Sequence, residues 1–254
     1  MRRGCELLQR SNLVPCGTSP LMKGGHSLPS TLALLHTSPT LTPLFTSLCK
    51  QHLPETATFH MVDESLIKQT ISAGTLQKVT VRRLIGMVES AAAIGVDGML
   101  VTCSSIGPAV SLAARLFPFP VVRVDDAMAE QAVGRAQRIG VLATLRTTLE
   151  PTIALLREKS VAAGRETVIE ASLCEGAFEA VLAGDTATHD GIVSQALTKL
   201  AAQVELVVLA QASMARVLQA MPEGAVTVPV LSSPELAVLR TRDLLQSSAR
   251  NQEF

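Results

Sequence analysis

Cys103 is the side chain in this sequence best placed to do chemistry. It stands in Thr102-Cys103-Ser104-Ser105-Ile106-Gly107-Pro108, directly after the apolar run Gly98–Thr102 and at the start of a helix-like segment. A thiol at a helix N-terminus is expected to have its pKa lowered from about 8.5, leaving a fraction as thiolate near neutrality. Such a group serves as general base, general acid or nucleophile. The competing reading is a small buried hydrophobe. Cys174, in Ser172-Leu173-Cys174-Glu175-Gly176, also follows a strand-like run and is the second candidate. Cys5, Cys16 and Cys49 have no comparable setting.

Hydroxyls gather at the ends of similar runs. Thr37 and Ser38 follow the first, Ser104 and Ser105 follow Cys103, Thr144 follows Ile139–Ala143, and Ser213 follows Leu206–Ala210. Hydroxyls and backbone amides at helix N-termini cradle carboxylates, although each Ser or Thr alone is also an ordinary helix cap. Two acidic pairs end other runs. Asp125-Asp126 reads most simply as an N-cap and first turn, while either it or Asp63-Glu64 could instead orient a catalytic group or hold a substrate amine. His36, at the end of the first run, is a candidate proton partner for Cys103 or a histidine satisfying local hydrogen bonds.

These side chains must be positioned by strands alternating with helices. Runs apolar on both faces occur at Thr31–His36, Thr58–Val62, Gly98–Thr102, Val121–Val124, Ile139–Ala143, Thr167–Glu170, Leu206–Ala210 and Thr227–Leu231. Segments of helical period lie between them, as at Ala127–Gln137, Leu149–Ala163 and His189–Gln203. That alternation predicts βαβ units and parallel sheets. The halves also match each other. Leu32–Thr37 aligns with Ile139–Thr144 at an offset of 107, Val96–Ile106 with Val204–Met214 at 108, and Pro120-Val121-Val122 with Pro229-Val230-Leu231 at 109. The expected fold is α/β, with two similar open parallel-sheet lobes related by internal duplication. The active-site cleft lies between them, where such sheets bind ligands at their strand C-termini. The boundaries expected are an N-terminal extension at 1–29, poorly ordered and with Met22 as an alternative start, a first lobe at 30–135, a second at 136–235, and a C-terminal helix at 236–254 returning to the first lobe.

Composition narrows the function. The 254 residues are 47% hydrophobic, and 22 basic side chains balance 22 acidic ones. Zero net charge, no Trp, no Tyr and six Phe offer neither a cationic face nor stacking surfaces for nucleic acid. No apolar run reaches the roughly 18–20 residues of a membrane span, and no signal-peptide core follows Arg2-Arg3. Five cysteines, an odd count without metal-like spacing, suit a reducing cytoplasm rather than a disulfide framework. His26, His36, His52, His60 and His189 form no metal-binding cluster, and no Gly-rich phosphate loop is present. No metal and no cofactor are expected.

The stretches Leu35-His36-Thr37-Ser38-Pro39, Val101-Thr102-Cys103-Ser104-Ser105, Gly140-Val141-Leu142-Ala143-Thr144 and Leu209-Ala210-Gln211-Ala212-Ser213-Met214 resemble, in order and spacing, the aspartate/glutamate/hydantoin racemase superfamily. That superfamily includes maleate isomerases and arylmalonate decarboxylases. The resemblance covers about residues 31–240. It implies cofactor-independent proton transfer at the carbon alpha to a carboxylate of a small amino or carboxylic acid, and a homo-oligomer. In the racemases two cysteines flank that carbon. Cys103 matches the first and Gln211 takes the place of the second, and an amide has no proton to exchange near neutrality. The site residues implied are Cys103 and Gln211 for the reaction, with Thr37, Ser38, Ser104, Ser105, Thr144 and Ser213 binding substrate. Ser104 and Ser105 correspond to positions that stabilise an enediolate-like oxyanion. The single cysteine leaves three alternatives: a decarboxylase of the arylmalonate type (though its cysteine lies in the second half), a covalent isomerase using Cys103 as nucleophile, and a small-acid binding protein without catalysis.

Overall fold

The computed structural model describes residues 30–252, so the 1–29 extension, with Cys5, Cys16, Met22 and His26, lies outside the described residues. The chain runs β1 (Thr31–His36), α1 (Thr42–His52), β2 (Ala57–Val62), α2 (Glu64–Ala73), α3 (Lys78–Ala93), β3 (Gly98–Val101), α4 (Gly107–Ala113), β4 (Val121–Arg123) and α5 (Asp126–Arg135). It then repeats as β5 (Arg138–Ala143), α6 (Arg146–Ala162), β6 (Val168–Leu173), α7 (Ala177–Leu182), α8 (Thr186–Ala201), β7 (Leu206–Leu209), α9 (Met214–Ala220), β8 (Val230–Ser232) and α10 (Ser233–Gln252). Short 3-10 turns precede α1 (Pro39–Leu41) and α4 (Ser104–Ile106).

Each half forms a four-stranded parallel sheet, ordered β2-β1-β3-β4 in one and β6-β5-β7-β8 in the other. The registers reproduce the offsets seen in the sequence. Leu32 faces Gly98 as Ile139 faces Leu206, and Met99 faces Val121 as Val207 faces Val230. The entry to each central pair repeats too. Asp97 Oδ2 accepts the Thr31 N–H at 2.7 Å, and Glu205 Oε2, 108 residues on, accepts those of Gln137 and Arg138 at 2.7 and 3.2 Å. These shared contacts give the duplication a physical form: two copies of one set of strand-pairing rules.

Both faces of each sheet are covered, which is why the strands read as continuous apolar runs. In the first, Ala33, Leu35 and Val101 pack under Leu66 of α2 and Leu84 and Val88 of α3. On the other face, Leu32, Leu34 and Leu100 meet Phe45 of α1 and Ala237, Val238 and Leu245 of α10. Gly98 admits that last helix, since a Cβ there would lie 2.9 Å from Leu245 Cδ2. In the second sheet, Leu142, Val207 and Leu209 pack with Val193 and Leu197 of α8. The opposite face, Ile139, Val141 and Val208, takes Leu155 and Leu156 of α6 and also Met128, Ala132 and Val133 of α5. Helix α5 falls within residues 30–135, the span expected for the first lobe, yet its apolar side serves the second sheet. The crossing is reciprocal, because α10 follows β8 and packs on the first sheet. Each lobe therefore completes the other's core. Among the described residues no helix is long and apolar enough to cross a membrane.

A buried ion pair closes the first lobe beside the Cys103 loop. Arg123, at the end of β4, donates from Nε and Nη2 to the two carboxylate oxygens of Asp125, both at 3.0 Å, and from Nη1 to Ser111 Oγ of α4 at 3.2 Å. Asp125 is 0% exposed. Its place before α5 suggests an N-cap, but it makes no capping bond, because its carboxylate is committed to the guanidinium. The guanidinium lies flat over Gly107, where a Cβ would sit 2.5 Å from Nη2. Gly107→Ala is expected to displace Arg123 and strand a buried carboxylate, lowering stability by about 3 kcal/mol. Urea unfolding of the variant measures this. A loss below ~0.5 kcal/mol, within the range of an ordinary surface change, would show that the guanidinium moves aside freely.

Candidate active site at the strand ends

The C-terminal ends of both sets of strands carry the polar side chains singled out above. Cys103 follows β3 in extended conformation (φ −129°, ψ 114°) and leads into the Ser104–Ile106 turn rather than directly into α4. It is half-buried. Burial pushes its thiol up, and four donors oppose this: the Thr37 hydroxyl, the backbone N–H groups of Ser105 and Ile106, and the Ser105 hydroxyl. The net shift is upward, which corrects the expected lowering. A three-residue turn contributes local donors but little aligned dipole, and solvation lost from the sulfur outweighs them.

The two halves repeat this arrangement with one chemical change. Thr37 follows β1 and its hydroxyl is set against the Cys103 thiol; Thr144 and Gln211 hold the duplicate positions after β5 and β7. There Gln211 Oε1 accepts the Thr144 N–H at 2.6 Å and its hydroxyl at 3.0 Å, while Gln211 Nε2 donates back to Thr144 Oγ1 at 2.8 Å. A threonine at the end of the first strand thus anchors a thiol in one lobe and an amide in the other. The lobes meet beside Cys103. Ser105 Oγ lies 2.8 Å from Thr148 Oγ1 of α6, and both residues are buried.

His36 is not a partner of Cys103. It is 0% exposed and bonds Thr102 Oγ1 through Nδ1 and His60 Nδ1 through Nε2, each at 2.8 Å. His60 Nε2 continues to Thr46 Oγ1 at 3.0 Å, and the chain ends on the carbonyls of Thr42 (2.8 Å) and Leu35 (3.2 Å). With both rings neutral, two hydroxyls and two imidazoles supply four hydrogens for these five contacts. A fifth hydrogen would fill the last gap only by placing a charge away from water. Burial, and then the neighbouring His60, accordingly lower His36 to about 4; burial also lowers His60.

Several other expected site residues are occupied elsewhere. Cys174 is 2% exposed in the second-lobe core, where burial raises it to about 11, so it is the small buried hydrophobe. Asp63 caps α2 through Ser65 and pairs with Arg83 Nη2 at 2.6 Å, so both carboxylate oxygens are engaged within the first lobe. Asp126 pairs with Lys159 at 2.7 Å. Ser38 caps the 3-10 turn through Thr40. Ser104 is buried, and Ser213 is exposed at the start of α9 without a capping bond. Thr37, Ser105 and Thr144 are engaged within the protein, which restricts the simple picture of hydroxyls waiting for a ligand.

The residue that sequence reasoning missed is Thr147, in the first turn of α6. Its hydroxyl is buried and has no hydrogen-bond partner. An orphaned donor at a helix start is suited to a carboxylate oxygen. The signal lay in the tandem Thr147-Thr148, which as sequence reads only as capping residues. Among the described residues, no three His, Cys, Asp or Glu side chains converge to hold a metal ion.

A scan of protein families matches residues 35–241 to Asp/Glu/Hydantoin racemase. A search of curated proteins gave no match. Solved structures resemble this one at low identity. Glutamate racemase from Bacillus anthracis is 19% identical over 87% of this chain and 83% of its own, with a TM-score of 0.67. Picrophilus torridus aspartate racemase is 14% identical over 85% and 94%, with a TM-score of 0.62. Allantoin racemase from Klebsiella pneumoniae is 16% identical over 86% and 89%, with a TM-score of 0.59. At such identities the likeness establishes the fold, two similar α/β lobes.

The buried His36 also sets an acid limit on stability. With His36 held down at about 4 by burial, against an ordinary 6.5, the unfolded chain binds more protons between those values. Stability from this group is complete above pH 6.5 and is lost as pH falls towards 4, by roughly 3 kcal/mol at most. Urea midpoints across this range are expected to fall with pH in the native protein and to fall less in His36→Gln. Parallel slopes would show that His36 is not the group responsible.

Proposed function

Since the chain belongs to the Asp/Glu/Hydantoin racemase family, we propose that it transfers a proton at the carbon alpha to the carboxylate of a small amino or carboxylic acid, with Cys103 as acid and base. The observation that carries this reading is the place of Cys103, at the end of β3 beside the contact between the lobes, with the polar groups of Thr37, Ser105 and Ile106 around its sulfur. A core cysteine needs none of them, whereas a thiolate formed transiently in an enclosed loop is stabilised by each. The thiol rests protonated at neutral pH and loses its proton above the ordinary thiol range. As thiolate it removes the α-proton, and the electron pair moves into the carboxylate to form an enediolate. The returning proton comes from the same sulfur.

Two further groups suit that intermediate. The orphaned Thr147 hydroxyl takes one carboxylate oxygen. Gln211, held by Thr144 through Oε1 and through one Nε2 hydrogen, keeps its second Nε2 hydrogen as a fixed donor. Neither moves a proton. One thiol serves one face of the planar intermediate, so exchange proceeds without inversion.

The test is α-proton exchange in D2O, followed by NMR on a panel of amino acids, hydantoins and malonates. Exchange should rise with pH into the alkaline range and fall by about 10²–10⁴-fold in Cys103→Ala, while Cys174→Ala retains most of it. Exchange that survives in folded Cys103→Ala would overturn the reading. A second prediction concerns the duplicate position. Gln211→Cys places a thiol beside Thr144 as Thr37 stands beside Cys103, and should open the other face. On an enantiopure substrate the native protein should exchange faster than it loses optical activity. The variant should bring the two rates together. Racemisation as fast as exchange in the native protein would require a second base.

A further inference from the structure

In the contact between the lobes beside Cys103 either hydroxyl can donate, and the state of the sulfur decides which. Ser105 Oγ has a single hydrogen, and two neighbours are within its reach: the Cys103 sulfur and Thr148 Oγ1 at 2.8 Å. When the sulfur is ionised it can only accept, so the Ser105 hydrogen turns towards it. Ser105 Oγ then has lone pairs facing Thr148, whose own hydroxyl hydrogen is available to fill the 2.8 Å contact. Both residues are buried, at 2% and 3% exposure, so water does not compete for either bond. The two hydrogens run in series, and such chains polarise each link in a low-dielectric setting.

We propose that Thr148 is a positioning residue for Cys103: its hydroxyl, reaching from the second lobe, orients the Ser105 hydroxyl onto the sulfur and so favours the thiolate only when the lobes are in contact. The proposal rests on the reading of Cys103 as the reacting group only for its purpose; the coupling itself is a property of the thiol and needs no substrate. Thr148 never touches the sulfur in this scheme. It is held from its own helix, where its carbonyl accepts from Thr152 Oγ1 at 2.9 Å and its N–H donates to the Leu145 carbonyl at 3.1 Å. The hydroxyl is therefore presented by a fixed first turn of α6 rather than by a mobile loop. The 3-10 turn carrying Ser105 packs against α6, so separating the lobes would withdraw the donor.

The experiment measures the thiol directly. Alkylation of Cys103 by iodoacetamide is followed against pH with peptide-resolved mass spectrometry, which separates it from the other four cysteines. In Thr148→Val the apparent Cys103 pKa should rise and alkylation at pH 8 should slow by about three- to tenfold, the worth of one hydrogen bond. Thr148→Ser should restore it. In a Ser105→Ala background, Thr148→Val should add nothing, because the link it acts through is gone. An equal slowing with and without Ser105, or no slowing at all, would overturn the proposal. Thermal melts of each variant identify any that fails to fold, and Thr148→Ala, which also removes the hydroxyl, then carries the comparison. If the thiol responds as described while Cys103→Ala retains exchange activity, the coupling stands and the catalytic reading falls.

Discussion

Ionising a sulfur inside an enclosed loop costs solvation, and the residues around position 103 are arranged against that cost. The donors set around Cys103 come from two places: Thr37, just past the end of β1, and Ser105 and Ile106 of the turn that follows Cys103. They can converge because β3 lies beside β1 in the middle of the sheet, so the loops after both strands open on the same end. The Arg123–Asp125 pair, lying over Gly107, fixes the beginning of α4 and with it the turn that carries Ser105 and Ile106. Burial still prevails over the donors. At rest the thiol therefore keeps its proton.

The duplication shows how the same framework tolerates different chemistry. Strand registers, the entry carboxylates at Asp97 and Glu205, and the threonines at 37 and 144 are common to both halves. What differs is the residue after the central strand, a thiol in one half and an amide in the other. Thr144 binds both ends of the Gln211 side chain, whereas Thr37 gives the sulfur one bond. The exchanged helices α5 and α10, each completing the opposite core, join the halves into one packed unit and hold the two sets of strand ends together.

Much of this was legible in the residues because parallel strands covered on both faces must be apolar throughout. β1 spans the same residues as its apolar run, Thr31–His36, and the internal offsets match the strand registers. The position of Cys103 was legible for the same reason. Its acidity was not, since burial depends on what packs around the loop after β3 and not on which residues flank the thiol in sequence. Asp125 looked like a cap because its partner Arg123 is a strand residue two positions earlier, a spacing that on a strand puts both side chains on one face. His36 and His60 stand 24 residues apart on neighbouring strands, and only the pairing of Leu34 with His60 and of His36 with Val62 brings their rings together. Thr147 and Thr148 were indistinguishable as sequence. The fold separates them, one hydroxyl left without a partner and the other bonded across the lobes.

The central claim is that the meeting of the strand ends beside Cys103 receives the carboxylate of a small acid. The most direct measurement is a crystal structure of the protein with a bound small α-substituted carboxylic acid. The expected result has one carboxylate oxygen within hydrogen-bond distance of Thr147 Oγ1, the α-carbon facing the Cys103 sulfur, and Gln211 still bonded to Thr144. An acid bound elsewhere, with the Thr147 hydroxyl unpartnered and the Cys103 sulfur untouched, would contradict it.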